Sequence, residues 1–505
     1  MATSKHILLI AYPEFGHIIP LLELGKKLAQ HRHKVTFAVS EYFIDKIVER
    51  QLVPTGTIER HLVPTERQLV PTGTLERHLV PTGTLERQLV PTGTLERQLV
   101  PTGTLELVGI PDGYSEDLFD CGINMVPGRG FQIIQDLTIP GARNFLKFIP
   151  TRGKSDEVSS VKEVVDLVVG DSCVAAALTI LYERDVPYYF FNSASAASMT
   201  LSPLYVDDKY PTTPEDQENS LSKPAKVSAG DPTVVPISMA GKRILLPINQ
   251  TMHLVQGILV NSVRELELET VEEIRTFPVM KDIPIWFVGP LFPETEEHMN
   301  NSENRLKVAK WLDEKKDLSV VYVSFGTTTA PPQPGQIAQL GKALLRLDCP
   351  FIWSLPAKQY QHLPDGFPRD PAGHFDGKVV VLPWAPQKLI LQHPATAVFL
   401  THCGWNCTVE SVTAGVPVVA WPMSGDQQTN AEWLVEHGLG ELVPGRGHHS
   451  ARIVPAGEIE GTLRRVGTEG SVFRQAARAW KKVADGAVGA GGSSETELAD
   501  FLQRI

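Results

Sequence analysis

Cysteine is scarce in this chain, with five (Cys121, Cys173, Cys349, Cys403 and Cys407) among 505 residues. They are too few and too scattered for a disulfide framework. Cys403 and Cys407 flank a turn beside His402, but no second Cys/His pair completes a tetrahedral zinc site. Dense Lys/Arg blocks are missing too, and the formal net charge of -11 argues against a nucleic-acid partner. No run approaches the ~20 apolar residues of a membrane-spanning helix. The N-terminal stretch "MATSKHILLIAYPEF" is unlike a secretory leader, because its apolar run is short and Pro13 and Glu14 interrupt it. The expectation is a soluble, cytoplasmic protein. Two nucleotide fingerprints are also lacking. No G-x-G-x-x-G follows a strand pattern, and there is no Walker loop; the one tempting glycine cluster, "GAVGAGG", follows a helical pattern. Dehydrogenase and P-loop readings fall with them.

What is present is alternation. "HILLIA", "LLELGKKLAQH" and "KVTFAVS" read strand, helix, strand, and "VVDLVVGD", "SCVAAALTILYERD" and "PYYFFNSA" repeat the pattern. Such units predict a mostly parallel α/β sheet. A Pro-, Ser- and Asp-rich stretch over 206–246 reads as a long loop or short helices. "WFVGPLFPETEEHMNNSEN" reads as a polar linker, after which strand and helix restart from "SVVYVSFG" onward. The expected organisation is therefore a Rossmann-like N-terminal domain over 1–288, a linker over 289–305 and a second Rossmann-like domain over 306–485. The segment 486–505 is expected to be a Ser-capped helix packing back on the first domain.

One stretch breaks the alternation. From Gln51 to Glu106 the unit "QLVPTGTLER" recurs five times in near-identical form, with one shortened copy, "HLVPTE". A fixed period can mark a solenoid, but a ten-residue unit with three apolar residues and a proline looks more like tandem expansion of a loop. Lengthening a loop from about 10 to about 57 residues costs only about 1.5 kcal/mol of closure entropy. Residues 51–97 are expected to be dispensable for chemistry.

The chemistry concentrates between Trp384 and Gln427, in "WAPQKLILQHPATAVFLTHCGWNCTVESVTAGVPVVAWPMSGDQ". Trp384 at a strand end offers an indole face for a planar base. "HCGWN" is a glycine-containing turn opening a helix, a place where backbone N–H groups and the helix dipole favour a diphosphate. Glu410, one helical turn after Asn406, could accept from a ribose diol. Asp426 and Gln427 in the next strand-to-helix turn suit sugar hydroxyls. Each has a plainer reading: Trp384 and Trp405 as core aromatics, Glu410 on a solvated face, Asp426 as a helix cap. Their clustering at successive strand ends favours a sugar-nucleotide site. At the other end of the chain, His17 in "YPEFGHIIP" stands where the first strand turns into the first helix, and it too could merely cap that helix.

These residues carry a resemblance. The Trp384–Gln427 stretch is similar to the signature of the inverting family-one UDP-glycosyltransferases, in particular the plant-type enzymes that glucosylate small phenolics and other lipophiles. "FGHIIP", "VSFGTTTAPP", "FIWSL" and "GGSSETELADFL" resemble the same enzymes, so the likeness covers nearly the whole chain except the repeat. It implies the GT-B fold, two Rossmann-like domains facing each other across a cleft, with a UDP-sugar as co-substrate and neither cofactor nor metal. It further implies uracil on Trp384 with contacts from Ala385 and Gln387, phosphates at Thr327, His402, Asn406 and Cys407, and ribose at Glu410. Ser193, Trp405, Asp426 and Gln427 would meet the sugar. The family usually has serine where this chain has Cys407, and a thiol is the weaker donor.

In the same resemblance His17 matches the catalytic histidine and Asp171 its aspartate partner. An imidazole near its ordinary pKa of 6.5 is suited to deprotonate an acceptor hydroxyl, and a buried carboxylate would orient it. Attack opposite the leaving UDP would give a β-glucoside of a small lipophilic acceptor. Gln427, which closes the signature, accompanies glucose use in the family, so UDP-glucose is the expected donor. Competing readings are a transferase using another UDP-sugar, a non-catalytic sugar-nucleotide sensor, and an epimerase or glycogen-synthase-like enzyme.

Overall fold

The computed structural model describes residues 4–50, 52–53, 61–62, 103–115, 129–152, 161, 163–200, 239–293, 303–326, 332–367, 374–375, 377–445, 452–468 and 471–505. They form two parallel sheets. The first has eight strands in the order β3-β4-β2-β1-β5-β6-β7-β8. These are β1 (His6–Ile10), β2 (Lys34–Ser40), β3 (His61–Leu62), β4 (Thr104–Ile110), β5 (Leu167–Asp171), β6 (Tyr188–Asn192), β7 (Ile258–Val260) and β8 (Ile285–Phe287). The second has seven strands in the order β11-β12-β10-β9-β13-β14-β15. Its members are β9 (Val320–Ser324), β10 (Phe351–Ser354), β11 (His374–Phe375), β12 (Val379–Leu382), β13 (Thr396–Thr401), β14 (Val418–Ala420) and β15 (Gly440–Leu442). All pairs are parallel except β11 with β12. Strands such as HILLI and VVYVS are buried along their whole length, as parallel strands covered by helices on both faces must be.

Strand order reverses between β1 and β5 in the first sheet and between β9 and β13 in the second. At such switch points the loops leaving the carboxyl ends of the strands diverge and open a crevice. His17 follows β1 and Asp171 ends β5; His402 follows β13. Each sheet thus brings one histidine to its own switch point.

The repeat reaches into the fold at both ends. Leu52 and Val53 of its first copy are buried in the first core. Thr104, Leu105 and Glu106 of its last copy belong to β4, paired with Lys34, Val35 and Thr36 of β2, so the inserted loop ends before β4. His61 and Leu62 of the shortened copy pair with Val108 and Gly109 at the sheet edge. Apart from Gly103, the remaining repeat residues lie outside the described residues, as do 201–238; Met239–Thr251, at the end of the stretch read as a long loop or short helices, is helical.

The C-terminal segment crosses between the domains. The helix Val472–Val488 runs straight through Gly486, and a second helix, Ser493–Arg504, lies beside β8. Its cap is Gly492, not a serine. Ser494 instead donates to the Gly289 carbonyl at 2.6 Å, and Ser493 to Glu265 at 2.8 Å. Glu497 pairs with Arg264 at 2.5 Å, and Phe501 packs edge-on between Tyr189 and Trp286. Phe501 and Leu498 are therefore part of the first domain's core. Among the described residues no helix is long and apolar enough to cross a membrane, and Cys173, Cys349, Cys403 and Cys407 are free thiols.

Candidate active site

The turn after β1 starts the helix Phe15–Gln30, and the N–H groups of His17 and Ile18 both bond the Glu14 carbonyl at 2.8 Å. This fixes His17 in the first turn. Its Nδ1 lies 2.9 Å from Asp171 Oδ2. Asp171 is fully buried, and its other oxygen accepts from the Cys173 backbone at 2.8 Å, so the carboxylate is held at both ends. Ser193 Oγ stands 2.7 Å from the same Nδ1, which places Ser193 against the imidazole. With Nδ1 occupied, Nε2 is the nitrogen left for an incoming group.

Burial alone would lower the His17 pKa. The charge and hydrogen bond of Asp171, with smaller help from Glu14 and Asp426, outweigh it and raise the pKa to about 9. Asp171 thus biases the imidazole toward its protonated form. His17, Asp171 and Cys173 also carry ligand atoms within 4.8 Å of one another, close enough for a soft cation. Such an ion would have to displace the His17 proton and that of the Cys173 thiol, which burial pushes well above its ordinary value.

On the other side of the cleft Trp384 follows β12 and is 41% exposed, while Ala385 is buried. Gln387 opens the short helix Gln387–Gln392. Its carbonyl accepts from Tyr322 at 3.0 Å; its amide nitrogen reaches the Cys407 sulfur at 3.3 Å and donates to Glu410. The two side chains matched to uracil and ribose are therefore bonded to each other. Burial pushes the Glu410 carboxyl up to about 7, against the pull of that hydrogen bond.

His402 sits between two glycines. A Cβ on Gly326, whose φ is +74, would lie 2.8 Å from the ring, and one on Gly404 would lie 2.6 Å from Nε2. Only glycine leaves that slot open. Burial lowers the His402 pKa to about 4, so the ring is neutral, and Nδ1 is buried with no partner among the described residues. Cys403 has a left-handed φ of 64, uncommon for a side-chain-bearing residue and typical of constrained site turns. The next helix, Trp405–Ala414, begins at Gly404 and makes its first full-turn bond from Thr408 N to Gly404 O at 3.0 Å. The N–H groups of Trp405, Asn406 and Cys407 precede that bond at the positive end of the helix dipole.

The Trp405 indole is buried and donates to the Asn261 carbonyl at 2.9 Å. Asn406 reaches across to the first domain, where its Nδ2 donates to Gly16 O at 2.9 Å. Asp426 occupies the cap position of the helix Gln427–Glu436 but makes no side-chain cap bond; it accepts from Asn430 at 2.9 Å, and burial raises its pKa. The Gln427 carbonyl accepts from the backbone of Met423 and Ser424 at 2.9 Å each. Thr327 lies outside the described residues.

Two residues with evident geometric roles escaped the sequence reading. Asn261, at the end of β7, is 2% exposed and contacts Asn192, Leu291, Trp405 and Asn406. A polar residue closing the apolar run "ILVN" was its only signal. Pro20, within "FGHIIP", was read for resemblance alone.

Residues 294–446 match the family described as UDP-glucoronosyl and UDP-glucosyl transferase. A Fragaria ananassa protein described as a UDP-glucose glucosyltransferase is 30% identical over 540 residues, covering 99% of this chain and 97% of that one. The Fragaria ananassa cinnamate beta-D-glucosyltransferase is 38% identical over 260 residues, 49% of this chain and 45% of that one. The crystal structure of Medicago truncatula UGT71G1 complexed with UDP-glucose superposes with a TM-score of 0.72 at 21% identity, covering 99% of this chain and 98% of that one. The likeness to the first Fragaria protein runs the length of both chains, and the two switch-point crevices lie on GT-B architecture: the protein belongs to the plant-type family-one UDP-glycosyltransferases.

Proposed function

We propose that this enzyme transfers glucose from UDP-glucose, with inversion, to a hydroxyl of a small phenolic acceptor, giving a β-glucoside. The observation that carries the reading is the His17–Asp171 pair, 2.9 Å apart at the first switch point. The Gly16 carbonyl beside it is in direct contact with Asn406 at the second. The neutral imidazole of His17 keeps Nδ1–H on Asp171 and takes the acceptor proton at Nε2 as the hydroxyl oxygen attacks the anomeric carbon. UDP departs from the opposite face. Its growing charge meets the N–H groups at the start of the helix Trp405–Ala414 and a neutral His402, which acts there as a hydrogen-bond donor and not as a cation. No step calls for a metal. Trp384 offers the stacking face for uracil. Gln387 and Glu410 exchange their mutual hydrogen bond for bonds to the nucleotide. Asp426, Gln427, Ser193 and the backbone of Trp405 bound the sugar subsite, and 1–288 and 306–485 act as acceptor and donor domains.

A second acceptor class has a specific observation in its favour. Cinnamate, named for one relative, has a carboxylate and no hydroxyl, so it needs no base. The His17 ring, held 2.9 Å from Asp171 and biased by it toward the protonated form, would pair with such an acid. Incubation with UDP-glucose and a panel of phenols and aromatic acids, read by mass spectrometry and by the anomeric coupling constant, tests both. Alkaline hydroxylamine separates esters from glucosides. A higher kcat/KM with UDP-galactose or UDP-glucuronate would overturn the donor assignment, and an α-linked product the inversion.

A further inference from the structure

The helix Phe15–Gln30 contains Pro20 in its second turn. In an α-helix the N–H of residue 20 would bond the carbonyl of residue 16, but proline has no N–H, and its ring crowds that carbonyl outward. The Gly16 carbonyl, one residue before His17, thus lacks its i+4 donor. Asn406 Nδ2 takes that place at 2.9 Å, from the opposite domain. Asn406 Oδ1 accepts from Asn261 Nδ2 at 3.2 Å, and Asn261 Oδ1 accepts from the Leu291 backbone at 2.8 Å, where the chain leaves β8 for the second domain. The ends fix the direction of this chain of bonds. Leu291 N–H can only donate and Gly16 C=O can only accept, so neither amide can turn round without losing its bonds. Asn261 is itself immobilised, its N–H on Asn192 O at 2.9 Å and its carbonyl under the Trp405 indole at 2.9 Å.

We propose that Asn406 and Asn261 are positioning residues for His17, and that Pro20 makes the Gly16 carbonyl available to them. The first turn of the acceptor-side helix is thereby fixed against the donor-side helix, and Nε2 of His17 is held in register with the sugar subsite. This rests on the reading of His17 as the base.

Pro20→Ala supplies an N–H that competes with Asn406 for the Gly16 carbonyl, and the gain from removing a helix-breaking residue offsets the packing lost at this buried position. Asn261→Asp keeps the acceptor for Leu291 N–H but sets a carboxylate against the Asn406 carbonyl. Both variants, wild type and His17→Ala are assayed with UDP-glucose on 4-nitrophenol and on the less acidic 4-methoxyphenol. UDP affinity is measured by calorimetry, along with the thermal midpoint. Pro20→Ala is expected to melt no lower than wild type and to hold UDP affinity within about twofold. Its kcat should fall about tenfold or more on 4-methoxyphenol and less than about threefold on 4-nitrophenol, which leans less on a base. Asn261→Asp should show the same split; if it does not fold, Pro20→Ala decides. Equal losses on the two phenols, or a loss confined to UDP affinity, would make the bonds a simple interdomain clamp and overturn the inference. If His17→Ala itself fails to separate the phenols, the base reading falls and takes the inference with it. If His17→Ala separates them and Pro20→Ala does not, only the positioning role falls.

Discussion

Each sheet brings one histidine to its switch point, His17 in the helix after β1 and His402 directly after β13, and their proton affinities diverge. His17 is raised to about 9 and His402 lowered to about 4. Burial pulls both down. The difference is a carboxylate, since His17 has Asp171 at 2.9 Å, whereas His402 is flanked by Gly326 and Gly404. Burial without a counter-charge makes a neutral hydrogen-bonding ring; burial beside one makes a proton store. The proposed transfer to a hydroxyl uses both, because its acceptor side moves a proton and its donor side accommodates a leaving anion.

The comparison breaks most sharply at His17. His17→Ala is expected to lower kcat on a phenol by ~10²- to 10⁴-fold, with UDP affinity unchanged by calorimetry because the residues proposed to hold the nucleotide belong to the second sheet's domain. Asp171→Asn should convert the first histidine into something like the second. In the wild type the raised pKa stabilises the fold below the unfolded value of 6.5, and that stabilisation is lost as pH rises through about 9. Over the same window kcat/KM for a phenol should climb, as the imidazole becomes neutral. In Asp171→Asn the climb should end below neutral pH, on a plateau about 10²-fold lower because the base is weaker; an unmoved pH profile would separate Asp171 from the proton.

His402→Ala should weaken UDP-glucose binding about 10- to 100-fold, the range for a hydrogen bond to a charged group. The loss should be constant between pH 6 and 9, because His402 titrates near 4. A loss that grows toward acid would mean that the ring binds as a cation after all. The smallest effect is expected at Cys407. A hydroxyl is a better donor than a thiol, so Cys407→Ser should tighten UDP binding by about two- to fivefold, without moving the pH profile.

The α/β alternation, the restart after the polar linker and the clustering from Trp384 to Gln427 are legible in the chain, because parallel strands buried on both faces must be written as apolar runs and the turns between them as polar ones. The proximity of His17 to Asp171 is not, since only the adjacency of β1 and β5 brings residues so distant in sequence together. Nor is the bond between Gln387 and Glu410, which depends on how two helices are set beside one another. The glycine preceding the terminal helix took the cap that the serines suggested, since Ser493 and Ser494 are drawn to Glu265 in the first domain and Gly289 just after β8.

The sequence by itself determined the two sheets, the glycines that leave room for His402, and the proline that removes a helix bond from Gly16. These are local properties of period, backbone freedom and missing donors. Only the tertiary structure decided what those local features are for. The proton affinity of each histidine depends on charges brought from other strands, and the acceptor left open by Pro20 is filled by Asn406 from the opposite domain. Electrostatics and hydrogen bonding act through space, and a chain does not carry its own distances.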